Sequence, residues 1–330
     1  MNPRVLSGIQ PTSDSFHIGN HLGALQNWVS MQDTHECLYF IADMHAITVE
    51  QDPAQLRERT LLSYAQLLAL GIDANKSTMF VQSHVAEHAQ FMWVLQCLTG
   101  IGEANRMTQF KDKAAKGGAS SASVGLLTYP ILQAADILLY RPNAVPVGED
   151  QRQHLELTRD LAIRFNGRFG QTLTVPEAHI VKATAKIQDL QDPTAKMSKS
   201  SPSGCINLLD PLKATEKKIK SAVTDSDTSI HFDAANKPGV SNLLTILSAY
   251  TGTSIDDLVS SFEGRMYGDL KKEVAAAVLA FAEPFQTRVF EYLGDRAELE
   301  SLMKSGADRV RAIAQATMAD VYSKIGFVGQ

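Results

Sequence analysis

Apolar residues along the first half of the chain follow two alternating patterns. Short apolar runs at residues 5–9, 37–42 and 77–82, the second rich in aromatic and β-branched side chains, are typical of buried strands. Between them, apolar residues recur every three to four positions, as at 18–31, which is typical of amphipathic helices. This alternation predicts an α/β fold, a Rossmann-like parallel sheet with helices on both faces.

Helix boundaries in this half have local signals of their own. Asp52 and Pro53 predict an N-cap and a first helical residue, and Gly71 predicts the end of the same amphipathic helix. Residues 113–123 are rich in Gly, Ala and Ser, which is typical of a flexible loop. The remaining predicted elements are a strand at 144–147 and helices through Trp93 and Leu95, at 125–140 and at 149–165.

Beyond residue 202 the strand signals fade and the pattern becomes helical. Asp210 precedes a lysine-rich helix, and Asp295 with Glu298 has the spacing of a capping box that opens another. Pro284 predicts a kink or a restart within its helix. Further helices are predicted near 241–250, 268–292 and 307–323. We therefore predict a Rossmann-like domain at 1–200, with an inserted helical segment, and an α-helical domain at 201–330.

Composition narrows the class of protein. The chain has 330 residues, 44% of them hydrophobic and 20% charged, which is ordinary for a globular protein. The net charge of −5 is unlike that of a dedicated nucleic-acid binder, so any such contact depends on local lysine clusters. The three cysteines form no C-x-x-C pair, and no apolar run has the length of a signal peptide or a membrane span. We expect a cytoplasmic protein.

Several common catalytic motifs are absent from the sequence. There is no G-x-x-x-x-G-K-[ST] loop, no complete dinucleotide fingerprint, no G-x-S-x-G elbow and no H-E-x-x-H. His17 and His21, like His84 and His88, stand four residues apart, but no further metal ligands accompany them. For His84 and His88 we favour surface or hydrogen-bonded histidines, and we predict no metal site.

The first candidate signature is the turn and helix start at residues 8–20. It leaves the first strand, passes through small residues and enters a helix at His17-Ile18-Gly19-Asn20. A helix N-terminus after a parallel strand offers N–H groups and a positive dipole end to an anion. Gly19 permits close approach of a ligand, and His17 and Asn20 supply donors for phosphate oxygens. By itself this segment is also compatible with ordinary helix capping.

The second candidate signature is Lys196-Met197-Ser198-Lys199-Ser200, which we call the lysine–serine loop. Two ammonium groups flank a serine in a polar segment. Such a loop can bind pyrophosphate oxygens and stabilise the charge that develops as they leave. By itself the segment is equally compatible with a solvated surface loop.

Together, the two segments resemble the paired ATP-binding signatures of class I aminoacyl-tRNA synthetases. Asn20 stands where many members have histidine, whereas the lysine–serine loop matches at all five positions. Residues 42–48, 129–140 and 145–151 are similar to bacterial tryptophanyl-tRNA synthetases, and the likeness extends from residue 6 past residue 223. Gln133 and Leu6 depart from the pattern, since many relatives carry methionine and some carry phenylalanine there.

The resemblance implies a tryptophan pocket around Asp136, whose carboxylate accepts a hydrogen bond from the indole N–H. Burial of that N–H without an acceptor would cost about 1–3 kcal/mol. Helical spacing lets Tyr129, Gln133 and Asp136 line one wall. The tryptophan-binding residues so implied are Leu6, Gly8, His45, Tyr129, Gln133, Asp136, Val145, Val147 and Gln151.

The resemblance also implies the residues that bind ATP and assist its reaction. The catalytic residues are His17, Asn20, Lys113, Lys196 and Lys199. The ATP-binding residues are Gln10, Pro11, Thr12, Gly19, Asn20, Gly148, Glu149, Asp150, Ile187, Lys196, Met197, Ser198, Lys199 and Ser200. ATP enters as a substrate with Mg²⁺, which its phosphates and water mostly hold, and no structural metal is expected.

The implied reaction is activation of L-tryptophan by ATP, followed by transfer to tRNA(Trp). The helical domain then binds the tRNA anticodon, and the inserted segment forms a homodimer. Phosphate contacts are expected from Lys213, Lys217, Lys218 and Lys220, although a plain solvated helix face fits this stretch equally well.

Three alternatives remain open from the residues alone. Asp136 could accept equally from a phenol, so a tyrosine-specific synthetase of the same fold is the nearest one. A small-molecule adenylate-forming ligase would need no helical tRNA-binding domain. A non-catalytic RNA-binding paralogue would not require His17 or the two loop lysines, all of which are present.

Overall fold

A parallel β-sheet organises the N-terminal half of the chain in the computed structural model. The structure describes residues 2–107, 123–147, 151–180 and 186–328. The five strands are β1 (Arg4–Ile9), β2 (Glu36–Ile41), β3 (Thr78–Val81), β4 (Ala144–Val147) and β5 (Glu177–Ile180). Their spatial order is β3-β2-β1-β4-β5, and every pairing between neighbours is parallel. The predicted α/β class is confirmed.

The helices of the first half connect these strands. They are α1 (Ile18–Asn20), which continues through a π-helical turn (His21–Leu25) into α2 (Gln26–Met31), then α3 (Asp43–Ala46), α4 (Pro53–Ala69), α5 (Glu87–Gln96), α6 (Ile101–Asn105), α7 (Val124–Leu139) and α8 (Arg152–Phe169). Asp52 caps α4 by accepting a hydrogen bond from the Gln55 N–H at 2.8 Å, as its sequence predicted. Gly71 has a φ of +106° after that helix, a conformation that glycine adopts without strain.

The second half is helical, as predicted. Its helices are α9 (Leu212–Lys220), α10 (Pro238–Thr251), α11 (Ile255–Ser261), α12 (Tyr267–Gly294) and α13 (Arg296–Ile325). Asp295 accepts from the Glu298 N–H at 3.0 Å and caps α13. Pro284 lies inside α12, which continues through it, so the predicted restart is wrong. Strand β5 and the short helices α3, α6 and α11 were not predicted.

The C-terminal helix packs against the sheet. A Cβ built on Gly306 of α13 would lie 1.6 Å from the carbonyl oxygen of Met79 in β3, so the helix backbone approaches the strand directly. Arg309 and Arg311 of the same helix donate to the carbonyl oxygens of Ala74 and His84. The buried apolar side chains form two hydrophobic cores among the described residues. Each core contains residues from before and after residue 200. The domain boundary there stays a prediction.

None of the helices in the described part of the chain is both long and apolar enough to cross a membrane.

Candidate active site

The carboxyl end of β1 leads through an irregular turn into the start of α1. The Asn20 side-chain oxygen accepts a hydrogen bond from the His17 backbone N–H at 3.1 Å. Asn20 therefore closes the first turn of the helix. Of the other residues predicted to bind ATP in this turn, Gln10 and Thr12 are exposed and Pro11 is buried.

The imidazole of His17 lies over Gly19. A Cβ built on Gly19 would lie 2.9 Å from two atoms of that ring, which is closer than real Cβ atoms come. Burial, followed by the nearby charges of Lys199 and Lys196, lowers the pKa of His17 to about 4. His17 is therefore neutral at pH 7, and its ring can donate one hydrogen bond and accept one.

The lysine–serine loop is fixed at its buried end and exposed at its tip. Met197 packs in the core, and its backbone N–H donates to the carbonyl oxygen of Ile187 at 3.2 Å. Ile187 is itself buried, so its side chain belongs to the core. The polar residues of the loop, Lys196, Ser198, Lys199 and Ser200, are exposed.

Backbone hydrogen bonds join the first signature to the segment that follows the lysine–serine loop. The Ile18 N–H donates to the Ile206 carbonyl at 3.0 Å, and the Leu208 N–H donates to the Phe16 carbonyl at 2.8 Å. Lys199 also donates from Nζ to the hydroxyl oxygen of Ser13. Segments almost 200 residues apart in sequence thus form one surface, on which the charges of Lys196 and Lys199 are close enough to act on His17.

A second polar cluster surrounds Asp136 inside the fold. Its Oδ2 accepts a hydrogen bond from His45 Nε2 at 2.7 Å. Its Oδ1 accepts from Gln82 Nε2 at 2.7 Å and from His88 Nδ1 at 2.6 Å. Beyond it, His88 Nε2 lies 2.7 Å from the Tyr140 hydroxyl. The carboxylate is 1% exposed, so these donors replace water around a buried charge.

The charge on Asp136 is maintained by its partners. Burial by itself would raise the pKa of this carboxyl, but electrostatic attraction and hydrogen bonds from the imidazoles of His45 and His88 outweigh burial and hold the pKa at about 2. Asp136 is therefore an ionised acceptor. The sequence indicated no role for Gln82 or Tyr140, and His88 was predicted to be an ordinary hydrogen-bonded or surface histidine. These three residues come together through contacts between distant segments of the chain.

Other predicted pocket residues connect to this cluster through polar side chains. Gln133 donates to Gln151 at 3.3 Å, and His154, which the sequence analysis missed, lies 3.0 Å from the same Gln151 oxygen. The Tyr129 hydroxyl lies 3.3 Å from His154 Nε2, and its ring meets that of His45 edge-on, with centroids 6.2 Å apart.

The apolar residues predicted for the pocket lie in the sheet. Leu6 and Val145 are buried in the same core as the inner face of α7. A Cβ on Gly8 would lie 2.5 Å from the Phe40 ring, so only glycine fits beneath that ring. Val147 ends β4. Lys113, Gly148, Glu149 and Asp150 lie outside the described residues.

Comparisons with known proteins cover most of the chain and agree with one another. The family model for class I tRNA synthetases (W and Y) matches residues 1–283. Over 328 residues, the chain is 60% identical to tryptophan–tRNA ligase 2 of Streptomyces avermitilis, with 99% of this chain and 97% of that protein covered.

Two solved structures share the fold over nearly their whole lengths. The tryptophanyl-tRNA synthetase of Mycoplasma pneumoniae has 38% identity and a TM-score of 0.89, with 99% of both chains covered. The tryptophanyl-tRNA synthetase of Campylobacter jejuni, complexed with ADP and tryptophan, has 36% identity and a TM-score of 0.86, with 98% of this chain and 100% of that chain covered.

Proposed function

The chain belongs to the class I tRNA synthetases that act on tryptophan and tyrosine, and we infer that it is a tryptophan–tRNA ligase. It activates L-tryptophan with ATP and transfers the aminoacyl group to tRNA(Trp). The observation that carries the choice of tryptophan is the likeness, along the entire chain, to proteins named for that activity. The buried, ionised Asp136 is consistent with it, because this carboxylate provides the acceptor that an indole N–H needs, although a phenol could use the same acceptor.

Adenylate formation is a displacement at the α-phosphorus of ATP. A carboxylate oxygen of tryptophan attacks this atom in line, the bond to the bridging oxygen breaks, and pyrophosphate leaves with the electron pair. The protein's part is to position the reactants and stabilise charge. In the second step the 2′-hydroxyl of the tRNA's terminal adenosine loses its proton as its oxygen attacks the carbonyl carbon of tryptophanyl-adenylate. The bond from that carbon to the phosphate oxygen breaks, and AMP leaves with the electron pair.

The joined signatures supply the charges for the first step. Neutral His17 and the Gly19 backbone at the start of α1 are proposed to face the phosphates, and Lys196 and Lys199 to offset the charge that develops on pyrophosphate. Lys113 is proposed to join them. The described residues contain no group of three or more His, Cys, Asp or Glu side chains suited to a metal ion. Mg²⁺ is proposed to enter with ATP, held by phosphate oxygens and water.

Tryptophan is proposed to bind between the sheet and α7. Its indole N–H donates to Asp136, Leu6 and Val145 contact the ring, and Gln133 and Gln151 border the pocket. Gly148, Glu149 and Asp150 are proposed to contact the ribose side of ATP, and the backbone of Ile187 to contact adenine.

The tRNA is proposed to contact the helices beyond residue 200. Two of the four lysines on α9 have partners within the chain: Lys218 bonds Asp210 at 2.8 Å, and Lys220 bonds Glu216 at 2.5 Å. Lys213 and Lys217 are exposed and are the better candidates for phosphate contacts. Their replacement by alanine should reduce the salt dependence of tRNA binding and leave adenylate formation unchanged.

A homodimer is proposed through a face that includes Trp93, Ile101 and Ile163, which are 65%, 80% and 54% exposed. These three residues lie on α5, α6 and α8, which Arg164 links. Its guanidinium donates hydrogen bonds to the Leu98 carbonyl at 2.6 Å and to both carboxylate oxygens of Glu103. Large apolar side chains this exposed are typical of an interface between subunits. The Trp93→Glu variant should sediment as a monomer if this face is correct.

Exchange of labelled pyrophosphate into ATP, measured with each amino acid separately, tests the function. Exchange that depends on tryptophan alone is the expected result. Exchange with tyrosine would overturn the amino-acid assignment, and exchange with no amino acid would contradict adenylate chemistry altogether. Charging of tRNA(Trp) then tests the second step.

A further inference from the structure

The two oxygens of the Asp136 carboxylate have different surroundings. Among the described residues, Oδ1 accepts two hydrogen bonds, from Gln82 and His88, whereas Oδ2 accepts one, from His45. Each carboxylate oxygen can accept about two. Oδ1 is therefore filled by protein donors, and Oδ2 retains capacity for one more. The His45 ring on the Oδ2 side also meets Tyr129 of the proposed pocket.

The two hydrogen bonds that link Tyr140 to His88 and His88 to Oδ1 are both donated towards the carboxylate. Ionised Asp136 only accepts, so Nδ1 of His88 carries the proton that lies between them. In a neutral ring Nε2 is then the acceptor, and the Tyr140 hydroxyl donates to it at 2.7 Å. Burial raises the pKa of Tyr140 well above its ordinary value, so this hydroxyl keeps its proton. The result is a chain of donors from Tyr140 through His88 to Oδ1.

We propose that His88 and Tyr140 are positioning residues for amino-acid selection: they fix Oδ1 and so aim Oδ2 at the N–H of the substrate's ring. This inference rests on the proposed function. His88 and Tyr140 are fully buried and act on the substrate only through Asp136. Gln82 supports the same oxygen from the 3₁₀ turn after β3.

A purely structural role for His88 and Tyr140 would have different consequences from a positioning role. Buried polar groups need partners in any fold, so loss of the Tyr140 hydroxyl would lower stability in either case. Only a positioning role also changes the choice between two substrates that differ at the N–H. Tryptophan and 3-benzothienylalanine form such a pair, because sulfur replaces the N–H in a ring of nearly the same shape.

The test compares kcat/KM for these two amino acids in pyrophosphate exchange. The Tyr140→Phe variant should lower the preference for tryptophan about threefold to tenfold, the range for weakening one ordinary hydrogen bond, mainly through KM for tryptophan. The matched control is Tyr39→Phe: that hydroxyl is equally buried and donates to the Trp28 carbonyl at 2.8 Å, in the other core. The control should leave the preference unchanged.

A pair of His88 variants provides the rescue. His88→Asn keeps an N–H near the position of Nδ1 and should retain more of the preference than His88→Leu, which has no donor. Tyr140→Phe keeps the test decisive if His88→Leu does not fold. An unchanged preference in Tyr140→Phe, or the same loss in Tyr39→Phe, would overturn the positioning role. Absence of tryptophan-dependent exchange in the unmodified protein would instead contradict the proposed function.

Discussion

Lys199 and Ser13 hold the two signatures together at the surface of the active site. The lysine donates from Nζ to the serine hydroxyl oxygen, and that hydroxyl donates to the Ser15 carbonyl at 2.9 Å. The bond docks the tip of the lysine–serine loop on the turn that leads to His17. Lys199 can then reach phosphate oxygens by a small movement from a neutral partner, without breaking an ion pair.

The first prediction concerns this lysine. Lys199→Ala should lower kcat for pyrophosphate exchange by about 10²–10³, the range for loss of one group that stabilises transition-state charge. KM for tryptophan should change little, because the lysine does not contact the amino acid. Lys196→Ala should behave in the same way. Steady-state exchange at varied ATP and tryptophan concentrations measures both effects.

Lys272→Ala is the control for these variants, since Lys272 is 73% exposed on α12 and far from the signatures in sequence. Its kinetics should equal those of the unmodified protein. Equal losses in tryptophan binding and in adenylate formation for Lys199→Ala would contradict a transition-state role.

The second prediction concerns the contact between Gly19 and His17. In Gly19→Ala the new methyl group would lie 2.9 Å from the imidazole, so the ring must leave its present position. We expect slower adenylate formation, by about tenfold or more, because small displacements at a reacting site reduce rates steeply. Rapid-quench measurement of the first turnover detects this loss.

Gly167→Ala in α8 is the matched control for Gly19→Ala. Nothing lies within 4 Å of the Cβ that it would gain, and alanine in a helix is favoured over glycine by about 0.5–1 kcal/mol. This variant should be slightly more stable and equally active. An active Gly19→Ala would show that the position of His17 does not limit the reaction.

The third prediction concerns the charge of Asp136. Asp136→Asn puts an amide in the place of an acceptor that three donors approach, so at least one buried donor loses its partner. We expect unfolding free energy to fall by about 1–3 kcal/mol, as for a buried donor left without its partner, and KM for tryptophan to rise. Denaturant unfolding and exchange kinetics measure the two effects.

Asp52→Asn is the control for Asp136→Asn, because it makes the same substitution at an exposed carboxylate. Asparagine caps helices about as well as aspartate, so this control should alter stability by only a few tenths of a kcal/mol. Similar stability losses in the two variants would contradict the buried-charge explanation for Asp136.

Local signals in the sequence predicted much of the fold. Asp52 and Asp295 fix helix starts through bonds to residues three positions away, which short patterns contain. The alternation of strands and helices predicted the parallel sheet. Strand β5 was missed because its four residues are defined by pairing with β4, and four residues are too few for a clear period.

The site was predictable as separate segments, and its connections were not. The resemblance named His45 and Asp136, but the bonds from Gln82 and His88 span 54 and 48 residues. For two histidines four positions apart, such as His84 and His88, the sequence does not indicate which ring is exposed and which is buried. What distinguishes His88 is the fold that brings α5 against α7, and helical periodicity does not specify which helices meet.

The fourth prediction concerns pH and the buried ring of His21. This imidazole stacks on Phe281, with centroids 4.4 Å apart, and burial lowers its pKa to about 4 from an ordinary 6.5. The unfolded chain therefore binds the proton more readily, so stability rises with pH between about 4 and 6.5 and is fully present above that window. The shift corresponds to a loss on the order of 3 kcal/mol on acidification.

Urea unfolding of the unmodified protein and of His21→Gln, between pH 7 and pH 4, isolates this contribution. Carboxylates and His17 titrate in both proteins, so only the difference between the two curves reports on His21. The unfolding free energy of the unmodified protein minus that of His21→Gln should decrease as the pH falls. Only the unmodified protein loses stability through protonation of His21 in the unfolded chain. Parallel curves would contradict a neutral buried His21.

The fifth prediction concerns the C-terminal helix and its approach to β3. In Gly306→Ala the methyl group would meet the Met79 carbonyl oxygen at 1.6 Å, so helix and strand must separate. Unfolding free energy should fall by about 1–3 kcal/mol or more, as for other overpacked sites. Gly268→Ala, in α12 with nothing within 4 Å, should be neutral or slightly stabilising. If Gly306→Ala unfolds α13 without changing tryptophan-dependent exchange, the helix does not stabilise the catalytic sheet. If the variant loses both the folded helix and the exchange activity, α13 and the sheet belong to the same cooperative unit.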